Sequence, residues 1–397
     1  MPIVFVPKER KEGETRVAAI AETVQRLVKD GFEVTVERGA GSGSRVEDAA
    51  YEKAGATLKD VADGYAAADV IVRLHPPAED DVARMKEGAL LVAHVWPFSH
   101  KALCEELMAR KLTVFAMDQI PRTTKAQYMD ALSSQMNLAG YKAVLMAAER
   151  LPKVIPLMMT AAGTVNPAKV VVMGAGVAGL QAIGTAKRLG AAVEATDVRP
   201  ETKEQVLSLG AKFIEPPGTA VGEGGYAGEQ SKEFLEKQKE TVRRHLVQAG
   251  VVITTAKIPG RKAPLLVTED VVRDMKPGAV IVDLAAEEGG NCELTVPDQI
   301  VERHGVTIVG TANIPATVPV DASALYAKNV LNVLKHLFPK GAKLALDFTD
   351  PITDGAVIFH EGACRSAKIA EAHGFSRPAP ARAERKAAAA GDEPTAG

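Results

Sequence analysis

One stretch narrows the possible folds more than any other. The apolar run Val170-Val171-Val172-Met173 leads directly into Gly174-Ala175-Gly176-Val177-Ala178-Gly179, a G-x-G-x-x-G, and residues 177–189 then follow a helical pattern. A strand that turns at once into a helix needs a residue free to adopt an unusual φ, the place of Gly174. The second glycine lets a pyrophosphate approach the backbone, and the third lets helix and strand pack closely. Asp197 follows the next apolar run, 18 residues after Gly179. An acid at that strand tip accepts adenosine ribose hydroxyls and repels a 2′-phosphate, so the pattern reads as NAD rather than NADP, with Arg199 two residues later softening the case. The alternative is a tight turn with no ligand.

The rest of the chain fits around that unit. Strand-like runs at 3–6, 33–37, 70–74, 90–93 and 112–116 alternate with helical patterns such as 17–29. A second series at 170–173, 193–196, 212–214, 251–255, 280–284 and 306–309 alternates with helices at 177–189, 201–209 and 232–248. Six such strands predict a dinucleotide-binding sheet of order 3-2-1-4-5-6. The fold class is α/β, two Rossmann-like domains with parallel sheets joined by long helices. The expected domains are 1–125 plus about 325–376, a linking helix at 126–150, a Rossmann domain at 151–324 and a flexible tail at 377–397. A further helix at 324–338 is expected to return to the first domain.

Composition excludes several classes. A net charge of −2 offers no field for nucleic acid or an anionic membrane, and 4% aromatics is too few for a base-stacking surface. Three scattered cysteines, Cys104, Cys292 and Cys364, encode neither a disulfide framework nor a zinc site, which fits a reducing cytoplasm and no metal. No signal peptide is visible at Met1. The uncharged stretch 170–186 contains four glycines and falls short of a ~20-residue membrane span.

Three further groups are candidates for chemistry. Gln127, Asp130 and Ser134 recur at i, i+3 and i+7 on the expected helix, either to hold a carboxamide and ribose or as a solvated face. Gly224-Gly225-Tyr226-Ala227 sits in a glycine-rich loop and reads as a lid hinge with a contact residue, or as a plain mobile loop. His94 is the best of eight histidines for a general base, unless it is simply solvated, and Arg16 and Arg73 are placed to clamp a carboxylate. No G-K-[ST], G-x-S-x-G or H-E-x-x-H supports an NTPase, serine hydrolase or zinc protease.

The longer motifs resemble a known family. Residues 126–135 (AQYMDALSSQ), 137–144 (NLAGYKAV), 158–165 (MMTAAGTV), 174–182 (GAGVAGLQA) and 284–292 (LAAEEGGNC) are similar to the NAD(H)-binding component, domain I, of proton-translocating nicotinamide nucleotide transhydrogenases. The resemblance spans roughly residues 1 to 375 and extends to alanine dehydrogenases, which share the two-domain fold. It implies Si/Re-specific, direct hydride transfer between NAD(H) on this chain and NADP(H) on a partner subunit, coupled to proton movement. It also implies a homodimer, held at the cytoplasmic face of the inner membrane by membrane-spanning and NADP(H)-binding subunits. Carried over by motif, Arg122, Gln127, Tyr128, Met129, Asp130 and Ser133 position the nicotinamide end, with Gln127, Arg122 and Asp130 closest to the transfer step. Gly174, Ala175, Gly176, Val177, Ala178 and Gly179 line the pyrophosphate. Asp197, Val198 and Arg199 face the adenosine ribose. Gly225 and Tyr226 belong to a loop that closes on the nucleotide, and Ala256 is assigned to the cofactor as well.

The departures separate the relatives. The catalytic His of alanine dehydrogenases aligns with Trp96, their substrate Lys with Arg73, and the acid partnering that His near Asn313 or Ile314. Loss of that set fits an enzyme whose second substrate is a dinucleotide. The chain ends without membrane helices, so those components are expected on separate subunits. The alternatives are a soluble alanine- or lysine-type amino-acid dehydrogenase and a non-catalytic NAD sensor.

Overall fold

A computed structural model of the chain describes residues 1–215, 232–257, 262–339 and 343–376. Its described residues divide into two compact units, one made of Met1–Leu132 with those from Ser323 onward, the other of those within Ser133–Ala322. The chain passes between them within two helices, Ala131–Arg150 and Pro319–Leu337.

The first unit holds an eight-stranded sheet. Ile3–Val6, Glu33–Glu37, Val70–Val72, Leu90–Ala93 and Thr113–Ala116 are its parallel centre. Alternate residues of these strands feed two different cores. Val4, Val6, Val70, Val72, Leu90 and Val92 join one, with Leu27 and the helix residues Tyr326, Val330 and Leu334. Phe5, Ile71, Leu91 and Ala93 join the other, with Tyr65 and Leu107. A sheet covered on both faces explains the continuous apolar runs of Ile3–Val6, Val70–Val72 and Leu90–Ala93, whereas Glu33–Glu37 alternates. Two strands are too short to announce themselves, Thr57–Lys59 and Ala363–Cys364 at the two edges, whereas Val357–His360 is a buried apolar run that the expected strands did not include.

The second unit holds seven strands in the order Lys212–Phe213, Ala192–Thr196, Lys169–Met173, Val251–Thr254, Val280–Asp283, Val306–Val309, Ile300–Arg303. The first six are parallel and realise the 3-2-1-4-5-6 order. The seventh is an antiparallel edge strand that the apolar pattern does not predict. It is mostly exposed and carries Glu302 and Arg303, so it lacks the apolar signal of its neighbours.

The long helix begins later than its apolar stripe suggests. Thr124–Met129 is a 3₁₀ turn, Asp130 has a non-helical ψ of 87°, and the α-helix starts at Ala131. A short polar Asp favours such a boundary over a helix interior. Gln127, Asp130 and Ser134 therefore do not share one α-helical face, which corrects the spacing argument. No helix among the described residues is long and apolar enough to cross a membrane.

Candidate functional site

The glycine turn sits where the second sheet reverses direction. Lys169–Met173 is flanked on one side by the strand that follows it in the chain, Ala192–Thr196, and on the other by Val251–Thr254. Open α/β sheets bind ligands at this point, outside the carboxyl ends of the strands. Gly174 adopts a φ of +101°. A Cβ on Gly179 would lie 1.8 Å from the carbonyl oxygen of Gly174, so the close packing that the sequence implied is real. Among the described residues there is room above Gly176: a Cβ there would meet only an Arg199 nitrogen at 3.8 Å. Gly176 is the N-cap of Val177–Arg188, and among the described residues no side chain caps that end. Its first amides are placed to receive an anion.

Asp197 lies one residue past the neighbouring strand, but it is not idle. Its carboxylate accepts hydrogen bonds from the Ala175 amide at 2.6 Å, the Arg199 amide at 2.9 Å, and Arg199 Nε and Nη2 at 3.0 Å each. Burial pushes its pKa up, but the Arg199 guanidinium and the two backbone donors outweigh this and hold it below the usual carboxylate range. Arg199, its side chain half-exposed, thus donates three of these four hydrogen bonds. Val198, between them, is exposed. Ala256 follows the strand Val251–Thr254, and its amide donates to Asn291 Oδ1 at 3.0 Å. Gly225 and Tyr226, like the expected tail at 377–397, lie outside the described residues.

The remaining assigned residues belong to the 3₁₀ turn of the first unit and to the start of the long helix. Arg122 and Gln127 are exposed, Tyr128 is 73% exposed, and Asp130 is half-buried. Met129 is 7% exposed and packs in the core of its unit, so its side chain is a packing group. The turn is anchored from outside: the Tyr128 carbonyl accepts from Asn329 Nδ2 at 2.9 Å and Asn332 Nδ2 at 3.0 Å. Ser133, the first residue of the second unit, is half-buried.

The groups read as a possible amino-acid site are engaged elsewhere. Arg73 is buried and meets Asp81 at 3.0 Å, the Tyr65 hydroxyl at 2.9 Å and Glu9 at 3.6 Å. Arg16 makes a two-pronged pair with Glu14, at 2.8 and 2.7 Å, and Glu14 also meets His75 at 2.5 Å. His94 is not a solvated loop histidine: it is 8% exposed, its Nδ1 lies 3.0 Å from the Leu74 carbonyl, and it stacks on Trp96 at 5.5 Å. Burial lowers its pKa from 6.5 to about 4, against the opposing pull of Asp118. A base that weak holds no proton at neutral pH and draws one poorly from an ammonium group.

That shift has a measurable consequence. The unfolded chain binds a proton at His94 before the folded one does, so this contribution to stability is complete above about 6.5 and is lost as pH falls toward about 4. His94→Asn, which cannot titrate, is expected to melt with a flatter pH dependence across that window. An unchanged slope would refute the assignment.

The family models "Alanine dehydrogenase/PNT, N-terminal domain" and "Alanine dehydrogenase/PNT, C-terminal domain" match residues 5–139 and 143–367. A Rhodospirillum rubrum protein, named as the first portion of an NAD(P) transhydrogenase subunit alpha, is 50% identical over 371 residues, covering 91% of this chain and 97% of its own. A solved transhydrogenase structure from Sinorhizobium meliloti is similar with a TM-score of 0.83 and 47% identity, over 91% of this chain and 99% of that one. An L-alanine dehydrogenase structure matches with a TM-score of 0.77 and 25% identity, over 93% and 98%.

Proposed function

The chain belongs to the alanine dehydrogenase/PNT family, and from that premise we propose that it is the NAD(H)-binding, alpha-type component of a proton-translocating transhydrogenase. The observation that carries nucleotide binding is the turn at the sheet's reversal point, with an uncapped helix N-terminus, an open face on Gly176 and an acid at the neighbouring strand tip. Residues 174–179 would hold the pyrophosphate through backbone amides, and Asp197 with Val198 and Arg199 the adenosine ribose. We assign Arg122, Gln127, Asp130 and Ser133 to the nicotinamide end, with Tyr128 and Met129 contributing through the same turn. Bound NAD(H) supplies the hydride chemistry, with NADP(H) on a partner chain.

The transhydrogenase reading is favoured over an amino-acid dehydrogenase by the state of the first unit. A dehydrogenase of that type needs an available base and a cation for the substrate carboxylate. Here His94 is buried and weakly basic, and Arg73 is held by Glu9 and Asp81. Transfer from nicotinamide to nicotinamide needs neither. Its catalysis rests on holding two rings in reach, and the residues at 122–133 have no task beyond binding and orientation.

The membrane-spanning and NADP(H)-binding components would be partner chains, which would hold this one at the cytoplasmic face of the inner membrane. A homodimer is supported by the hairpin Met158–Thr160 and Gly163–Val165. All six of its residues are exposed, among them Met158, Met159 and Val165. A lone two-stranded hairpin with apolar side chains in water is marginal, and a second copy would cover it.

The test is reduction of an acetylpyridine analogue of NAD by NADPH, with and without the membrane partners, beside an assay for alanine oxidation with NAD. Transfer only with partners, and no alanine oxidation, is the expected result. Alanine turnover near one per second would establish the dehydrogenase reading instead. NADH binding with neither activity would leave a sensor. Cofactor choice gives a second check. The isolated chain should bind NADH much more tightly than NADPH, and Asp197→Ser should narrow that gap. Equal affinity of the native chain for both would refute the role of Asp197.

A further inference from the structure

Beyond the assigned residues, the second unit contains a buried polar network that neither its fold class nor its glycine turn explains. Asp283, at the end of the strand Val280–Asp283, is fully buried. Its carboxyl group accepts from Thr254 Oγ1 at 3.0 Å, the Ala285 amide at 3.0 Å, the Asn291 amide at 2.7 Å, the Cys292 amide at 3.0 Å and Thr295 Oγ1 at 2.7 Å. These bonds fold the segment after the strand back on itself and fix the backbone of Asn291.

Asn291, also fully buried, aims its amide the other way. Its Oδ1 accepts from the Ala256 amide at 3.0 Å, and its Nδ2 donates to the Ala256 carbonyl at 2.9 Å and the Pro264 carbonyl at 2.8 Å. Its own carbonyl accepts from the Leu266 and Val267 amides at 2.8 and 3.0 Å. One side chain thus pairs both peptide groups of Ala256, as a neighbouring strand would, and the same residue also holds Pro264, Leu266 and Val267. Lys257 adds an ion pair to Glu288 at 2.8 Å on the less buried side.

The placement of Ala256 gives this network a task. It follows the strand on the far side of Lys169–Met173 from Asp197. A dinucleotide laid across the reversal point has its adenosine half on the Asp197 side and its nicotinamide half on the Ala256 side. We propose that Asn291, locked by Asp283, is a positioning residue that sets the nicotinamide half of the nucleotide site by fixing Ala256. The proposal rests on the NAD(H)-binding reading.

Fragment binding separates positioning from general damage. Asn291→Ala leaves the part-buried Ala256 amide and the Ala256 and Pro264 carbonyls without their partner. NADH should then bind about tenfold more weakly, while 5′-AMP, which reaches only the adenosine half, binds within twofold of wild type. Thr295→Val is the milder companion, removing one bond to Asp283 and leaving the Asn291 amide in place. It should weaken NADH a few-fold and leave 5′-AMP unchanged. Equal loss of both ligands in the two variants would make the network a general scaffold and overturn the proposal, as would unchanged NADH binding in Asn291→Ala. Wild-type protein that binds 5′-AMP and NADH equally poorly would instead sink the nucleotide reading on which this one stands.

Discussion

Gln127→Asn is expected to slow hydride transfer in the reconstituted complex by about 100-fold while changing NADH affinity only a few-fold. The substitution keeps the amide and withdraws it by one methylene, an ångström-scale change at a residue assigned to orientation. The surroundings make the displacement hard to absorb. The turn that carries Gln127 is anchored by Asn329 and Asn332 on the Tyr128 carbonyl, and its neighbours Ala126 and Met129 are buried in the core. A backbone held in this way does not slide forward to restore the reach. Because Gln127 itself is exposed, folding stability should change by less than about 0.5 kcal/mol. Stopped-flow measurement of transfer and NADH fluorescence titration separate the two effects. Collapsed binding with unchanged transfer would make Gln127 an ordinary affinity contact.

Two glycines of one helix should respond to the same substitution with opposite signs. A Cβ on Gly179 would lie 1.8 Å from the Gly174 oxygen and 2.8 Å from its carbonyl carbon. Both are backbone atoms of the turn, and they cannot yield without moving the helix off the strand. Gly179→Ala should therefore cost about 3 kcal/mol, the upper end of overpacking, and weaken NADH at least tenfold because the turn that receives the pyrophosphate is displaced. Gly184, five residues on, meets nothing closer than an Arg188 nitrogen at 4.0 Å. There Ala removes a helix-interior glycine and should stabilise by about 0.5–1 kcal/mol with NADH affinity unchanged. Thermal unfolding and NADH titration of the two variants decide the matter. A stable, NADH-binding Gly179→Ala would remove the close-packing argument from this site.

What can be read from the residues alone is local or periodic. The glycine hexamer after an apolar strand, the acid at the next strand tip and the six parallel strands of the second sheet are written in neighbouring positions, because a turn, a helix start and a buried strand each impose their pattern within a few residues. Strands at exposed edges, such as Thr57–Lys59 and Ile300–Arg303, impose no such pattern and are invisible in the sequence. The start of the long helix is misplaced by sequence because an apolar stripe continues through Asp130, whose non-helical ψ breaks the helix without breaking the stripe.

Only tertiary structure decided who partners whom. Arg199 closing on Asp197, His94 buried under Trp96, Arg73 held between Glu9 and Asp81, and Asn329 gripping Tyr128 across 201 positions are outcomes of packing. So is Asn291 on Ala256: the sequence placed it in a motif of the family and said nothing of its partner, 35 residues away. A hydrogen bond depends on distance and angle to a few tenths of an ångström, and those are set by the whole fold. Residue type and spacing could therefore name a nucleotide-binding turn, but not whether its acid was already occupied, nor which side chain held the opposite wall in place.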